Sequence, residues 1–433
     1  MHREHHARCL SVGVFMTMSK KLLTVTLTGL VLFAALAGAH AKITVSPWTS
    51  SSSGIPQPLK SELKSLGGGR SESAAALRAL HEFSIMTLRR GLSERDPFEQ
   101  LFAAGALGVN GDLIGAMMLE DAFYSPDPSL RMASVDGLAD IGDAKAVAVL
   151  QRLYRSTNGY RRRLVVSALS QIKDFGVAEP LMEATKEPDW MTRIEAAQAL
   201  GKLGCKEAIP QLRKLLVSEP EPFAKMVIAH ALLLLGDDST IPQIKIALER
   251  SPDSEARAMA ALALGDAHDI AMVEPLQRAL ASEDGEVKMA AAAALTHYSR
   301  RDGLAILKAA IGDREYLVRH WLGELLEHLD FAVGRDLMIA ALDSSDAGLQ
   351  LAATRAIGLL GGEAEVTMLM RQFRRADDPI MRADVAWALG RIARPSCIEP
   401  LVDMMGQPDP AVRYTAADAL ARTTSRLLVG AAN

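Results

Sequence analysis

The sequence predicts an all-α fold, an α-solenoid of about eleven helical hairpins of about 31 residues each. Three observations carry this. The stretch Asp378-Pro379-Ile380-Met381-Arg382-Ala383-Asp384-Val385-Ala386-Trp387-Ala388-Leu389-Gly390-Arg391 recurs in degraded form along most of the chain. Its residues are the ones that open, bury and close a helix. Apolar content is 49% with only 5% aromatic, which suits helices packed closely through Ala rather than a β-rich fold.

In chain order, residues 1–41 read as a signal peptide. Lys20-Lys21 forms a basic start, Leu22 to Ala37 an apolar core, and Ala39-His40-Ala41 a small-x-small cleavage site. His2 to Phe15 precedes the basic pair awkwardly, which makes Met16 and Met18 alternative starts. The apolar run is short for a membrane span and holds Thr24, Thr26, Thr28 and Gly29. No cysteine stands at the cleavage site, so the expected location is periplasmic or secreted rather than lipid-anchored. Residues 42–70, with Ser50 to Ser53, Pro56, Pro58 and Gly67 to Gly69, read as a flexible tether. Residues 71–95 read as capping helices, an Ala/Leu helix followed by a second apolar one.

From residue 96 to residue 433 the array is regular. Aligning the motif cation gives the column Gln100, Arg131, Arg162, Arg193, Lys225, Arg257, Lys288, Arg319, Gln350, Arg382 and Arg413. Four residues before each cation stands an acid or amide, as in Asp127, Asp189, Glu221, Asp253, Asp378 and Asp409. The acid suits an N-cap, and Pro97, Pro128, Pro379 and Pro410 fall where a helix needs no N–H. Apolar residues three, four, six, seven and ten places after the cation form one buried face, as in Ala196, Ala197, Ala199, Leu200 and Leu203. Gly142, Gly204, Gly236 and Gly361 fit left-handed stops, and the Ala-rich glycine motifs read as helix ends. A second helix follows, often opened by proline, as at Pro210 and Pro242. After Ser425 too little chain remains for a full partner helix, so the last repeat is expected to stay partly open.

The string Asp-Pro-x-x-Arg-x-x-x-Ala-x-Ala-Leu-Gly at Asp378–Gly390, with Asp189–Gly201 a near match, resembles the short HEAT repeat, particularly the HEAT-like class named for phycobilisome lyases. The resemblance runs from Asp96 to Arg422. It implies that acid and cation join a ladder between adjacent repeats, through Asp127, Arg131, Asp189, Arg193, Asp253, Arg257, Asp378, Arg382, Asp409 and Arg413. It also implies that the motif helix lines the concave face. Lys225, Gln350 and Gln100 depart from the cation consensus, so the ladder is expected to be interrupted there.

Net charge is −4, and removing residues 1–41 leaves −7, which argues against nucleic acid as the main partner. Cys205 and Cys397 stand six repeats apart, too far for a disulfide, and read as small buried residues. Enzymes on this scaffold exist, but the several His-Glu pairs of deoxyhypusine hydroxylases reduce here to His81-Glu82, and no nucleophile elbow or phosphate loop is present. His297 and His328 fall nine places after the cation in adjacent repeats, without a third metal ligand in view. No cofactor and no metal are therefore expected. Arg152, Arg155, Arg161, Arg162 and Arg163, and Arg371, Arg374 and Arg375, read as solvated helix ends.

Positions two, five and nine after the cation are expected to point away from the packed stripe. Toward the carboxyl end they become His297, Trp321, Glu324, His328, Arg355, Trp387 and Arg391, the residue types favoured in recognition patches. The expected function is an exported, non-catalytic scaffold that holds a protein or peptide along its concave face. The alternative is a lyase- or hydroxylase-like enzyme or maturation factor on the same scaffold.

Overall fold

A computed structural model describes residues 70–432. The signal peptide (1–41) and most of the tether (42–70) lie outside the described residues. Among the described residues the regular structure is helical, and the chain is an all-α solenoid. It divides into two units, one comprising residues 147–353 and the other, among the described residues, 70–146 and 354–432; they are called unit 1 and unit 2.

Unit 2 opens with α1 (Arg70–Gly91), one continuous helix of 22 residues where two were expected. It contains no Pro, and its glycine comes only at the end, so nothing breaks the run. It is followed by α2 (Pro97–Val109), α3 (Leu113–Ala122), α4 (Pro128–Ile141) and α5 (Ala144–Ser156), the last of which crosses into unit 1. In unit 1 come α6 (Gly159–Gln171), α7 (Ala178–Ala184), α8 (Trp190–Leu203), α9 (Ile209–Ser218), α10 (Pro222–Leu234) and α11 (Ile241–Arg250). Then follow α12 (Ser254–Gly265), α13 (Val273–Ala279), α14 (Gly285–Thr296), α15 (Leu304–Ile311), α16 (Tyr316–Leu325) and α17 (Phe331–Leu342). α18 (Ala347–Leu360) crosses into unit 2, which ends with α19 (Val366–Arg375), α20 (Pro379–Ile392), α21 (Ile398–Met405) and α22 (Pro410–Ala432). The eleven even-numbered helices carry the motif.

The motif acid does the capping expected of it at Asp96, Asp127, Asp189, Asp253, Asp378 and Asp409, each accepting backbone N–H groups of its helix. Asn158, Glu221, Asp284 and Glu315 start their helices without that bond. Gly142 and Gly204 are left-handed caps at φ 57° and 74°. Gly236 is left-handed two residues beyond its helix, and Gly361 is not among the positive-φ glycines.

The glycine of the motif itself is not a stop. Gly201, Gly358 and Gly390 lie inside α8, α18 and α20, and Gly265 is the last residue of α12. A Cβ there would come within 2.8, 3.0, 2.8 and 2.8 Å of the Cα of Ala231, Ala294, Ala388 and Ala419 for Gly201, Gly265, Gly358 and Gly390 in turn. All four alanines stand six places after the next repeat's cation. Glycine meeting alanine is therefore how successive motif helices approach closely.

The last repeat is not open. Within unit 2, α1 packs along α22, and its His81 Nδ1 lies 3.2 Å from the Ala421 carbonyl and 3.3 Å from Thr424 Oγ1. Tyr414 donates to Glu94, and Arg413 lies 3.6 Å from the same carboxylate. His81-Glu82 is thus part of a helix–helix seam. Cys205 and Cys397 are free and buried.

Candidate functional site

Most of the cation column shares one task. Arg131, Arg193, Arg257, Arg319, Arg382 and Arg413 each donate to the carbonyl six residues earlier, in the turn before their own helix. Gln100 and Gln350 make the same bond at 2.6 Å, so an amide substitutes for the cation there. Four cations also reach an acid of the following repeat: Arg162 to Glu187, Arg193 to Glu219, Arg257 to Asp284 and Arg319 to Asp346. Two of these acids belong to the motif column, and two lie in the turn just before it.

Position five departs from expectation. His230, Arg355 and Asp418 are buried there, because this position faces the groove between adjacent motif helices. Arg355 is only 3% exposed and pairs with Asp384 at 3.1 and 3.4 Å, which removes it from any surface patch. Glu324 is partly covered and lies 2.9 Å from His320. The indoles are half-buried as well. A Cβ on Gly285 would lie 3.9 Å from the Trp321 ring, and one on Gly358 3.1 Å from the Trp387 ring, so each indole leans on the preceding motif helix.

Position nine is the open column. Asp140, Lys202, His297, His328 and Arg391 are all solvent-accessible, at or just past the ends of α4, α8, α14, α16 and α20. A helix C-terminus favours cations, which accounts for Lys202 and Arg391.

In unit 1 this column gathers around Asp266. Its Oδ2 lies 2.8 Å from His230 Nε2 and its Oδ1 3.3 Å from His297 Nδ1. His297 Nε2 in turn meets the His328 carbonyl at 2.5 Å. Burial alone would raise Asp266, but the His230 hydrogen bond and the charges of His230, His297 and His328 hold it below the ordinary carboxylate range. Enclosure by protein lowers His328 to about 4, with Lys202 adding to the shift, although its edge reaches solvent. Burial likewise lowers Lys202, opposed by Glu327 and Asp266. A cavity of about 40 Å³ lies among Gln198, His230, Met259, Asp266, His297 and His328. His230 Nδ1, on a ring 7% exposed, has no hydrogen-bond partner among the described residues. His230 stands at position five and Lys202 and Asp266 at position nine of their repeats, but nothing in the local sequence shows that they meet across repeats.

In unit 2 the same column brings together Arg391 of α20, Arg422 of α22 and Asp140 of α4. The Arg391 guanidinium lies 5.7 Å from the centre of the Trp387 ring. Arg422 pairs with Asp418 at 2.8 Å, and Arg426 donates to the Arg391 carbonyl at 3.3 Å. Burial lowers Arg391, and the charges of Arg422 and Arg426 lower it further. Among the described residues no group of three or more His, Cys, Asp or Glu has metal-ligand geometry, and no helix is long and apolar enough to cross a membrane.

Stacked two-helix layers, with a capping acid, a backbone-binding cation and an open column at the helix ends, define a helical-repeat protein of the α-solenoid class. The family description "HEAT repeats" matches residues 85–170, 116–190, 157–233, 178–249, 241–327, 304–390 and 366–429, and the chain belongs to that family. Over 55 residues, 13% of its length, it is 40% identical to the phycocyanobilin lyase subunit alpha of Picosynechococcus sp., and it spans only 20% of that relative. Among solved structures it is similar to the CpcE–CpcF complex of phycocyanin lyase from Nostoc sp., with 24% identity and a TM-score of 0.38, covering 58% of this chain and 95% of that one. It is also similar to the karyopherin Kap121p, with 13% identity and a TM-score of 0.36, covering 83% of this chain and 48% of that one. These likenesses concern the fold.

Proposed function

We propose that this chain is an exported, non-catalytic scaffold that holds a protein or peptide partner on its inner helix faces. The observation that carries the reading is the position-nine column. It presents solvent-accessible Arg391 braced on Trp387 in unit 2, and accessible His297 and His328 around Asp266 in unit 1. Accessible charged groups held by aromatic and acidic neighbours are preorganised for recognition. The test is a photoreactive residue at position 387 in the source cell, with a second at position 217, where Val217 is 85% exposed. One dominant protein adduct from 387 and none from 217 supports the scaffold. Equal labelling from both, or none from 387, overturns it.

A second reading, a lyase-like enzyme or maturation factor, draws on the 55-residue match and on the His230–Asp266 pair. There the carboxylate orients an imidazole whose other nitrogen is unpartnered, an arrangement that suits proton transfer. A covalent chromophore adduct formed on an acceptor protein by the purified chain, and abolished by Asp266→Asn, would favour it.

A further inference from the structure

Arg391, Arg422 and Arg426 put three guanidiniums on two neighbouring helices of unit 2, and the first of them is the least compensated. Arg422 is engaged by Asp418, and Arg426 reaches the Arg391 carbonyl. Among the described residues Arg391 has its indole neighbour and no direct carboxylate partner. Its exposed fork of N–H donors is therefore open to an acceptor from outside. The groups facing it are Asp140 from α4, Trp387 from its own helix, and Asp418, Arg422 and Arg426 from α22. With both acids ionised, three cations exceed two anions by one charge.

We propose that this cluster is a receptor for a carboxylate-bearing peptide segment, taken by the fork of Arg391 with Arg422 and Arg426 supplying the surrounding field. Three physical facts support it. A planar guanidinium matches a carboxylate through two parallel N–H···O bonds. The Trp387 ring already restrains that guanidinium, so less side-chain freedom is lost on binding. The mutual repulsion of the three cations falls when an anion arrives. The proposal rests on the scaffold reading and specifies what the partner presents to unit 2.

The experiment is a titration of the full chain at pH 7 with a fluorescently labelled glutamate-rich peptide, followed by anisotropy, beside the same peptide with Gln for Glu and beside inorganic phosphate. The Glu peptide binds and the Gln peptide does not. Arg391→Gln weakens binding by about ten-fold or more, the loss expected for a charge-assisted pair. Arg391→Lys, which keeps the charge but not the fork, retains part of it. The pair Arg152→Gln and Arg155→Gln, exposed cations of α5, leaves it within about two-fold. A melting curve of the Arg391→Gln chain that matches the parent shows that the loss is local. Equal binding of the Gln peptide, an unaffected Arg391→Gln chain, or an equal loss in the α5 variant overturns the proposal. Phosphate that displaces the peptide completely at equal concentration assigns the site to a free anion and overturns the peptide assignment. A dominant adduct at position 387 whose cross-linked segment lacks acids would leave the scaffold standing while removing this receptor.

Discussion

A charge in the fifth motif position is turned into the groove between repeats, and Arg355 shows the consequence. Its guanidinium and the Asp384 carboxylate, 3% and 9% exposed as side chains, have given up water for one another. Such a pair adds little net stability over well-packed apolar groups, yet breaking it strands a buried charge. Asp384→Leu alone should cost about 3–5 kcal/mol in urea unfolding, and Arg355→Met with Asp384→Leu should recover most of that. If the double variant is as unstable as the single, the pair stabilises through geometry that apolar groups do not supply. The sequence marked Arg355 as a recognition residue because its type is right and its offset lies off the apolar stripe. What it did not contain in readable form is the partner, 29 residues away in the next repeat.

At the scale of the helix, each motif element has one end suited to each sign of charge. First-turn acids sit at the amino ends, where Glu286 is raised to about 8, mainly by burial and then by Glu255 and Glu324. A carboxyl raised in the folded state gives stability that is fully present below its unfolded value near 4.5 and is lost as pH rises toward 8. The melting temperature should therefore fall between pH 5 and pH 8 by more in the parent than in Glu286→Gln; parallel curves for the two chains would remove Glu286 as the cause. The caps, the cation and the apolar stripe lie within 14 residues of one another, so they were legible. The glycine column was not, since its reason is the alanine of the following helix. Gly→Ala in an exposed helix interior ordinarily stabilises by about 1 kcal/mol. At Gly390 the new methyl would meet Ala419 at 2.6 Å, so Gly390→Ala should instead destabilise by about 1–3 kcal/mol. A gain in urea midpoint would mean that α20 and α22 are free to separate.

Over the whole molecule, a one-dimensional repeat array has terminal layers with one uncovered face, and capping them decides solubility. At the carboxyl end the local sequence offers no partner helix for α22, which led to the expectation of an open end. The partner comes instead from the other end of the chain: α1 packs along α22 in unit 2, more than 300 residues away in sequence. No local pattern encodes such a pairing, although the 22-residue length of α1, against 23 for α22, matches it. The contact is apolar at its core, with Leu77, Leu80 and Leu88 of α1 and Ala416, Ala417 and Leu420 of α22 among the buried residues. The His81 hydrogen bonds set its register. A chain beginning at residue 93 should therefore expose an apolar stripe on the last repeat large enough to drive association. Light scattering after gel filtration should show the truncated chain forming dimers or larger species at concentrations where the parent keeps a single smaller mass, and adding a synthetic 70–92 peptide should reverse this. A truncated chain with an unchanged association state, and no response to the peptide, would mean that α22 completes its fold without α1.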